Sequence, residues 1–201
     1  YLADFSYLLL FDKQSESIKY LYQIQEMAST LGVEDYFDDD FFNKLLSNLS
    51  NPDTLRTYSI EQSSAFFNRM ESIGNKDLVV LITSGSIIET MYIVLNTIDE
   101  TRITDKAINS VIDLAYLFDS FYIHYKLSKP NVQELDKLSA DLQELRDVFT
   151  SFAITQTSKA IRKEGKIQIS SEVSHEVNEY NLRRMKVLVQ TIRKNIVSQG
   201  Y

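Results

Sequence analysis

The residues best placed to do chemistry in this chain are polar ones set in apolar surroundings. Ser84-Gly85-Ser86 and Glu89 stand in its most hydrophobic stretch, Asp77 to Ile98. A glycine inside a helix costs about 1 kcal/mol relative to alanine. Gly85 therefore implies a close approach by another helix, room for a ligand, or a break, and close packing is the simplest of the three. Glu89 shares a helical face with residues 82, 85 and 93. On that face it turns inward beside Gly85, where a buried carboxylate must find a partner; on the other it is solvated. The stretch is too uniformly apolar to decide its own phase. With Glu89 inward, Ser84, Gly85 and Glu89 would mark an inter-helix pocket for a small molecule or glycan.

Other groups raise the same question. Asp4, Ser6 and Tyr7 precede an apolar run; they either line a polar pocket or, more simply, cap a helix while Tyr7 packs. Tyr122 lies in an aromatic cluster with Tyr116, Phe118, Phe121 and Tyr125. Tyrosines exposed there are candidates for glycan or partner contact, although core packing accounts for most of the cluster. Glu34, Asp35, Asp38, Asp39 and Asp40 form the densest acidic group, without the Asp-x-Asp-x-Asp-Gly spacing of a calcium loop. A solvated linker with one capping aspartate is expected there. His124 and His175 are far apart in sequence and neither belongs to a His-Glu-x-x-His pattern.

Catalytic signatures are lacking. There is no Gly-x-Ser-x-Gly, no phosphate-cradling glycine loop and no kinase-like set. Zero Cys removes thiolate nucleophiles, disulfides and Cys-bound metals. Paired carboxylates for acid–base work need only proximity in space, and 28 acidic residues leave that route open. No catalytic residue, metal ligand or cofactor is assigned.

The elements that must position these residues are legible from composition and period. A chain of 201 residues, 44% hydrophobic, can bury a core of its own. Two Pro and five Gly are few, against roughly ten and fourteen at average usage. Scarce turn formers mean long helices with brief connections. A helical pattern runs from Ser15 to Leu31 and stops at Gly32. A short helix follows the acidic link, and Asn51-Pro52 starts another that ends at Gly74-Asn75. Leu55, Tyr58, Gln62, Ala65 or Phe66, Arg69 and Ile73 define its helical pattern. Asp77 to Ile98 is the central helix, and Thr104 or Asp105 begins the next. After a connection at Lys129-Pro130-Asn131, Leu135, Leu138, Leu142, Leu145, Phe149 and Phe152 repeat as a bundle stripe. Lys166 to Ser170 alternates, as an extended arm or lone edge strand would. A last helix restarts at Ser171 or Ser174, with Val177, Met185, Leu188, Ile192 and Ile196 on its apolar side, and ends at Gly200.

These elements predict an all-α fold, an antiparallel helical bundle or short array of about seven helices. The expected organisation is a single domain, residues 1–201. Residues 1–158 form an acidic main bundle, net −12, and residues 159–201 a basic C-terminal arm and helix, net +5. The basic helix is expected to pack on the acidic body. The overall charge of −7 and the lack of aromatics among its cations argue against a nucleic-acid partner. The polar load of Asp77 to Ile98 reads as a core helix rather than a membrane span.

The stretch Tyr1-Leu2-Ala3-Asp4-Phe5-Ser6-Tyr7, with Lys19-Tyr20-Leu21 and Met27-Ala28-Ser29-Thr30-Leu31-Gly32-Val33, resembles a family of all-helical lipoproteins of the Bacteroidetes cell envelope. In that family a Tyr-x-Ala-Asp-Leu-Ser-Tyr-like start precedes a helix ending in Leu-Gly-Ile or Leu-Gly-Val, and the central apolar helix carries a small-residue patch. Tyr1, Ala3, Asp4, Ser6 and Tyr7 match, Phe5 replaces the leucine, and Ser84-Gly85-Ser86 matches the patch. The resemblance covers residues 1–152. It implies an extracytoplasmic protein held to the membrane only through a lipid anchor upstream of Tyr1, with the cytoplasm as the alternative. It implies no activity. The resulting expectation is a non-enzymatic envelope protein that mediates protein–protein interaction or assembly, with small-molecule or glycan binding as the alternative.

Overall fold

In a computed structural model, residues 1–11, 13–36, 38–48, 50–128, 134–163 and 166–198 are described. The fold is a helical array. Its first part comprises α1 (Leu2–Leu10), α2 (Gln14–Thr30), a 3-10 turn (Glu34–Tyr36), α3 (Asp39–Ser47) and α4 (Pro52–Ser72). The chain continues through α5 (Lys76–Asn96), α6 (Asp105–Ser128) and α7 (Glu134–Thr150). An antiparallel hairpin of β1 (Ala153–Lys163) and β2 (Lys166–Glu176), in register from Ala153 opposite Glu176 to Lys163 opposite Lys166, precedes α8 (Glu179–Val197).

Most helix ends follow their local signals. Gly32 (φ 68°) and Gly74 (φ 81°) take the left-handed conformation that closes a helix at little cost to glycine. Asp38 accepts from the Phe41 amide at 2.8 Å, so one aspartate of the acidic link caps α3. Asn51 caps α4 through the Thr54 amide at 3.2 Å, with Pro52 in the first turn. Thr104 caps α6 through Ala107 in the same way.

Three expectations are corrected. The segment Tyr7 to Phe11 is the end of a full helix, α1, which starts at Leu2 without a side-chain cap. Asp4 instead sits in its first turn, where a carboxylate faces the positive end of the helix dipole. The Ser6 hydroxyl donates back to the Leu2 carbonyl at 2.9 Å. The alternating residues after α7 form a two-stranded hairpin rather than a lone strand, and it runs to Glu176. The last helix therefore begins at Glu179, capped by Asn178, not at Ser171 or Ser174. Ile73, the last residue of the pattern that defines α4, is an exposed cap residue, while Met70 is buried. The Lys129-Pro130-Asn131 connection, the Gly200 stop and the side chains of Leu135 and His175 lie outside the described residues.

The chain divides into two compact units, residues 1–89 and 90–201, with the boundary inside α5. In the first, α1 folds back along α2, as the 5.9 Å edge contact between Tyr1 and Tyr20 shows. Its interior is two small clusters. One joins Phe5, Leu21, Ile24, Phe42, Leu45 and Leu55; the other joins Ala28, Val33, Phe66, Met70 and Val79. In the second unit the stripe of α7 is buried as predicted, with Leu142, Leu145 and Val148 fully enclosed. Leu182, Met185, Val189 and Ile192 of α8 are buried as well, a face rotated slightly from the expected one.

The basic helix keeps its charges within its own unit. Arg183 bonds Glu100 at 2.8 Å and Glu179 at 2.7 Å, and Arg184 reaches Glu144 at 3.4 Å. Lys186 donates to the Ile98 carbonyl at 2.8 Å and pairs with Glu100 at 3.1 Å. These cations hold the Glu100 carboxyl below its usual range, Lys186 most strongly.

Candidate functional site

Packing decides the phase that periodicity left open in α5. Val80, Ser84, Ile87, Ile88, Met91 and Leu95 are buried. Ser84 belongs to that face, and its hydroxyl is satisfied by the Val80 carbonyl at 2.7 Å. By length and apolarity α5 also passes as a membrane span. Of its most apolar 18 residues, 39% are buried within the protein.

Leu81, Ile82, Gly85, Ser86 and Glu89 lie on another face of α5, and this face lines an open groove. α2 supplies Ile24, Met27, Ala28 and Leu31 to it. Tyr1, Leu2 and Ala3 at the start of α1, with Val33 after the Gly32 turn, complete the lining. All of these residues lie within the first unit. The walls are predominantly apolar. Met27 and Leu31 are each 47% exposed and Leu81 42%, so the groove spends large hydrophobic side chains on its rim. Its volume is about 200 Å³.

Gly85 explains why the groove exists. A Cβ built on it would meet nothing within 4 Å. No neighbouring helix presses on this glycine, so the close-packing expectation fails, and the space above it is part of the groove. Glu89 is half-buried at the end of the same lining, neither sealed in the core nor freely solvated.

The other candidate residues do not converge here. Asp4 and Ser6 lie on α1 outside the groove lining, and the half-buried Tyr7 stacks at 4.7 Å on Phe11. Tyr122 is only 3% exposed. Its hydroxyl donates to Gln143, and the Arg146 guanidinium lies 4.8 Å from its ring centroid. It joins α6 to α7 and offers no surface to a partner. Asp40 pairs with Lys44 at 2.7 Å, and Glu34, Asp35, Asp38 and Asp39 wall a wide cleft on the side of α2 opposite the groove.

A second groove, of about 330 Å³, lies in the other unit beside Phe118, Phe149 and Phe152. Its charged groups are matched to each other. Two nitrogens of Arg146 bond the same oxygen of Asp119, both at 2.8 Å. Among the described residues, the groove over Gly85 is lined by one carboxylate, Glu89.

Among the described residues, Glu89 is the titratable side chain of the lining besides Tyr1, and no His is there. His124 is exposed, with Ser128 donating to its carbonyl at 2.9 Å. Among the described residues, no group of three or more His, Asp or Glu is placed to hold a metal ion. Sequence reasoning found Gly85 and Glu89 but missed Met27, Leu31 and Leu81 as exposed rim residues. The signal was the width of the apolar face on α2, which exceeds what a narrow core stripe requires. Comparison with family models, curated proteins and solved structures yields no match to this chain.

Proposed function

We propose that this protein is a non-enzymatic interaction module that docks apolar side chains of a partner protein in the groove over Gly85. The supporting observation is the open space above a mid-helix glycine. A chain that keeps glycine there forgoes about 1 kcal/mol of helix stability relative to alanine, with no packed neighbour to account for it. Volume favours a protein partner over the glycan alternative. Small-molecule sites occupy about 300–1,000 Å³, while a cavity of about 150 Å³ takes a single benzene ring. The groove, at about 200 Å³, therefore suits one aromatic or two aliphatic side chains. Its exposed Met27, Leu31 and Leu81 are the kind of rim that loses water on docking.

The resemblance at residues 1–33 and 84–86 supports a cell-envelope setting, with a lipid anchor upstream and an envelope protein as the partner. Labelling with a palmitate analogue, followed by membrane fractionation, tests that setting. The docking reading is tested by recovering the tagged full-length protein from gently solubilised native envelopes, with stoichiometry measured by mass spectrometry. A partner near 1:1 that is released by both Gly85→Leu and Leu81→Asp is the expected result. Partners retained by both variants would overturn the assignment of the groove.

A further inference from the structure

A second interaction surface lies in the other unit, on the hairpin of β1 and β2. Its register is one-to-one from Ala153 opposite Glu176 to Lys163 opposite Lys166, without a bulge. Each strand has 11 residues, which at strand rise is about 34 Å. Among the described residues the sheet has two strands, so β1 and β2 each keep one edge with no strand beside it. Unpaired edge amides and carbonyls template a further strand, and a two-stranded ribbon by itself is marginal in water.

The two edges differ in sequence. β1 holds Lys159, Arg162 and Lys163 and no acid, a charge pattern that keeps a second β1 away. β2 has no proline and carries both signs, with Lys166 at its start and Glu172 and Glu176 in its second half. Laid antiparallel on itself over its full length, β2 is self-complementary. Ser171 then stands opposite Ser171 of the other copy. Lys166 falls opposite Glu176 and Ile169 opposite Val173, each twice by symmetry, and no like charges are opposed. A slip of one residue would set the positions of Ile167, Ile169 and Val173 against polar ones. A slip of two either opposes Glu172 to itself or leaves Lys166 opposite Ser174. We propose that two copies of this chain join through β2, antiparallel and in full-length register, into a four-stranded sheet ordered β1-β2-β2-β1. Such an interface is two-fold symmetric and closes on itself, and it leaves the cationic β1 edges outermost. It is independent of the groove over Gly85.

The chain has no Cys, so one introduced thiol reports the pairing directly. Opposed residues of an antiparallel pair have Cα atoms about 4.5–5.5 Å apart, within the reach of a disulfide. In the full chain, Ser171→Cys should form a covalent dimer under mild oxidation, and Ser158→Cys, at the middle of β1, should form far less. Sedimentation equilibrium of the unaltered chain should show monomer and dimer in exchange. Lys166→Glu or Glu176→Lys alone opposes like charges and should weaken the dimer several-fold; the two together should restore it. Gly85→Leu should leave it unchanged. β2 also touches α6, and a chain that stays monomeric at every concentration would mean that this edge is closed, which overturns the proposal. Equal cross-linking of the two thiol variants would overturn it too, as would a double charge variant no better than the single ones, or a dimer lost in Gly85→Leu.

Discussion

The two compact units handle their hydrophobic and charged residues differently. Residues 90–201 enclose Phe118, Leu142, Leu145, Leu182 and Met185 completely and match charge to charge around them: Arg146 with Asp119, Arg183 and Lys186 with Glu100, Arg184 with Glu144. Residues 1–89 divide their interior into two smaller clusters, leave Met27, Leu31 and Leu81 on a rim, and gather acidic residues on the opposite face of α2. Balanced pairs contribute modestly to stability and keep a surface from attracting partners. An open apolar slot contributes nothing to the folded chain by itself; its free energy is realised when something covers it. The proposed docking site thus falls in the less tightly enclosed unit.

The largest way to break this comparison is in the second unit. Leu145→Ala, at a fully enclosed position, should cost about 2–5 kcal/mol of stability by denaturant titration; a cost near zero would mean that the α7 interface is not the tight one. Arg146→Ala removes both the Asp119 pair and the guanidinium over Tyr122. With both charges partly exposed, a loss of about 1 kcal/mol is expected, and envelope partners should be retained. Leu81→Asp reverses that pattern. At a rim position its effect on stability should be about 0.5 kcal/mol or less, yet partner recovery should be lost.

Acid supplies the smallest and most local effect. The Glu100 carboxyl is held below 4.5, chiefly by the hydrogen bond from Lys186, so the folded state binds its proton less readily than the unfolded chain. Its contribution is fully present above pH 4.5 and fades as pH falls through the lowered value. Hydrogen exchange should show the α8 amides losing protection in that range, and Glu100→Gln should flatten this acid dependence. An unchanged profile in Glu100→Gln would mean that Lys186 and Arg183 do not tie α8 through this carboxylate.

Much of the array was legible because its signals are local. Asn51-Pro52, Gly32, Gly74 and an aspartate ahead of Phe41 announce helix ends through chemistry that needs no distant partner. The stripe from Leu138 to Phe149 repeats at the spacing of a buried face, and it is buried. The hairpin was only half legible. Residues 166–170 alternate, but the partner strand, Ala153–Lys163, follows directly on a strong helical stripe that draws the reading away from β structure. In α1, Asp4 and Ser6 have the chemistry of caps, yet the helix begins two residues before Asp4, and side-chain identity alone does not fix that start. Gly85 was singled out, while its meaning required three dimensions. A glycine under a packed helix and one under open space look identical in sequence; only the absence of any atom within 4 Å separates them. Tyr122 shows the converse, since a hydroxyl suited to a surface is used inside to bond Gln143.

The most direct test is recovery of the proposed partner by wild-type and Gly85→Leu protein in parallel, with the melting temperature of each preparation measured on the same sample. Leucine favours helix over glycine and fills a space that nothing else occupies. The account predicts an unchanged or raised melting temperature together with loss of the partner. Undiminished recovery by a folded Gly85→Leu protein would contradict it.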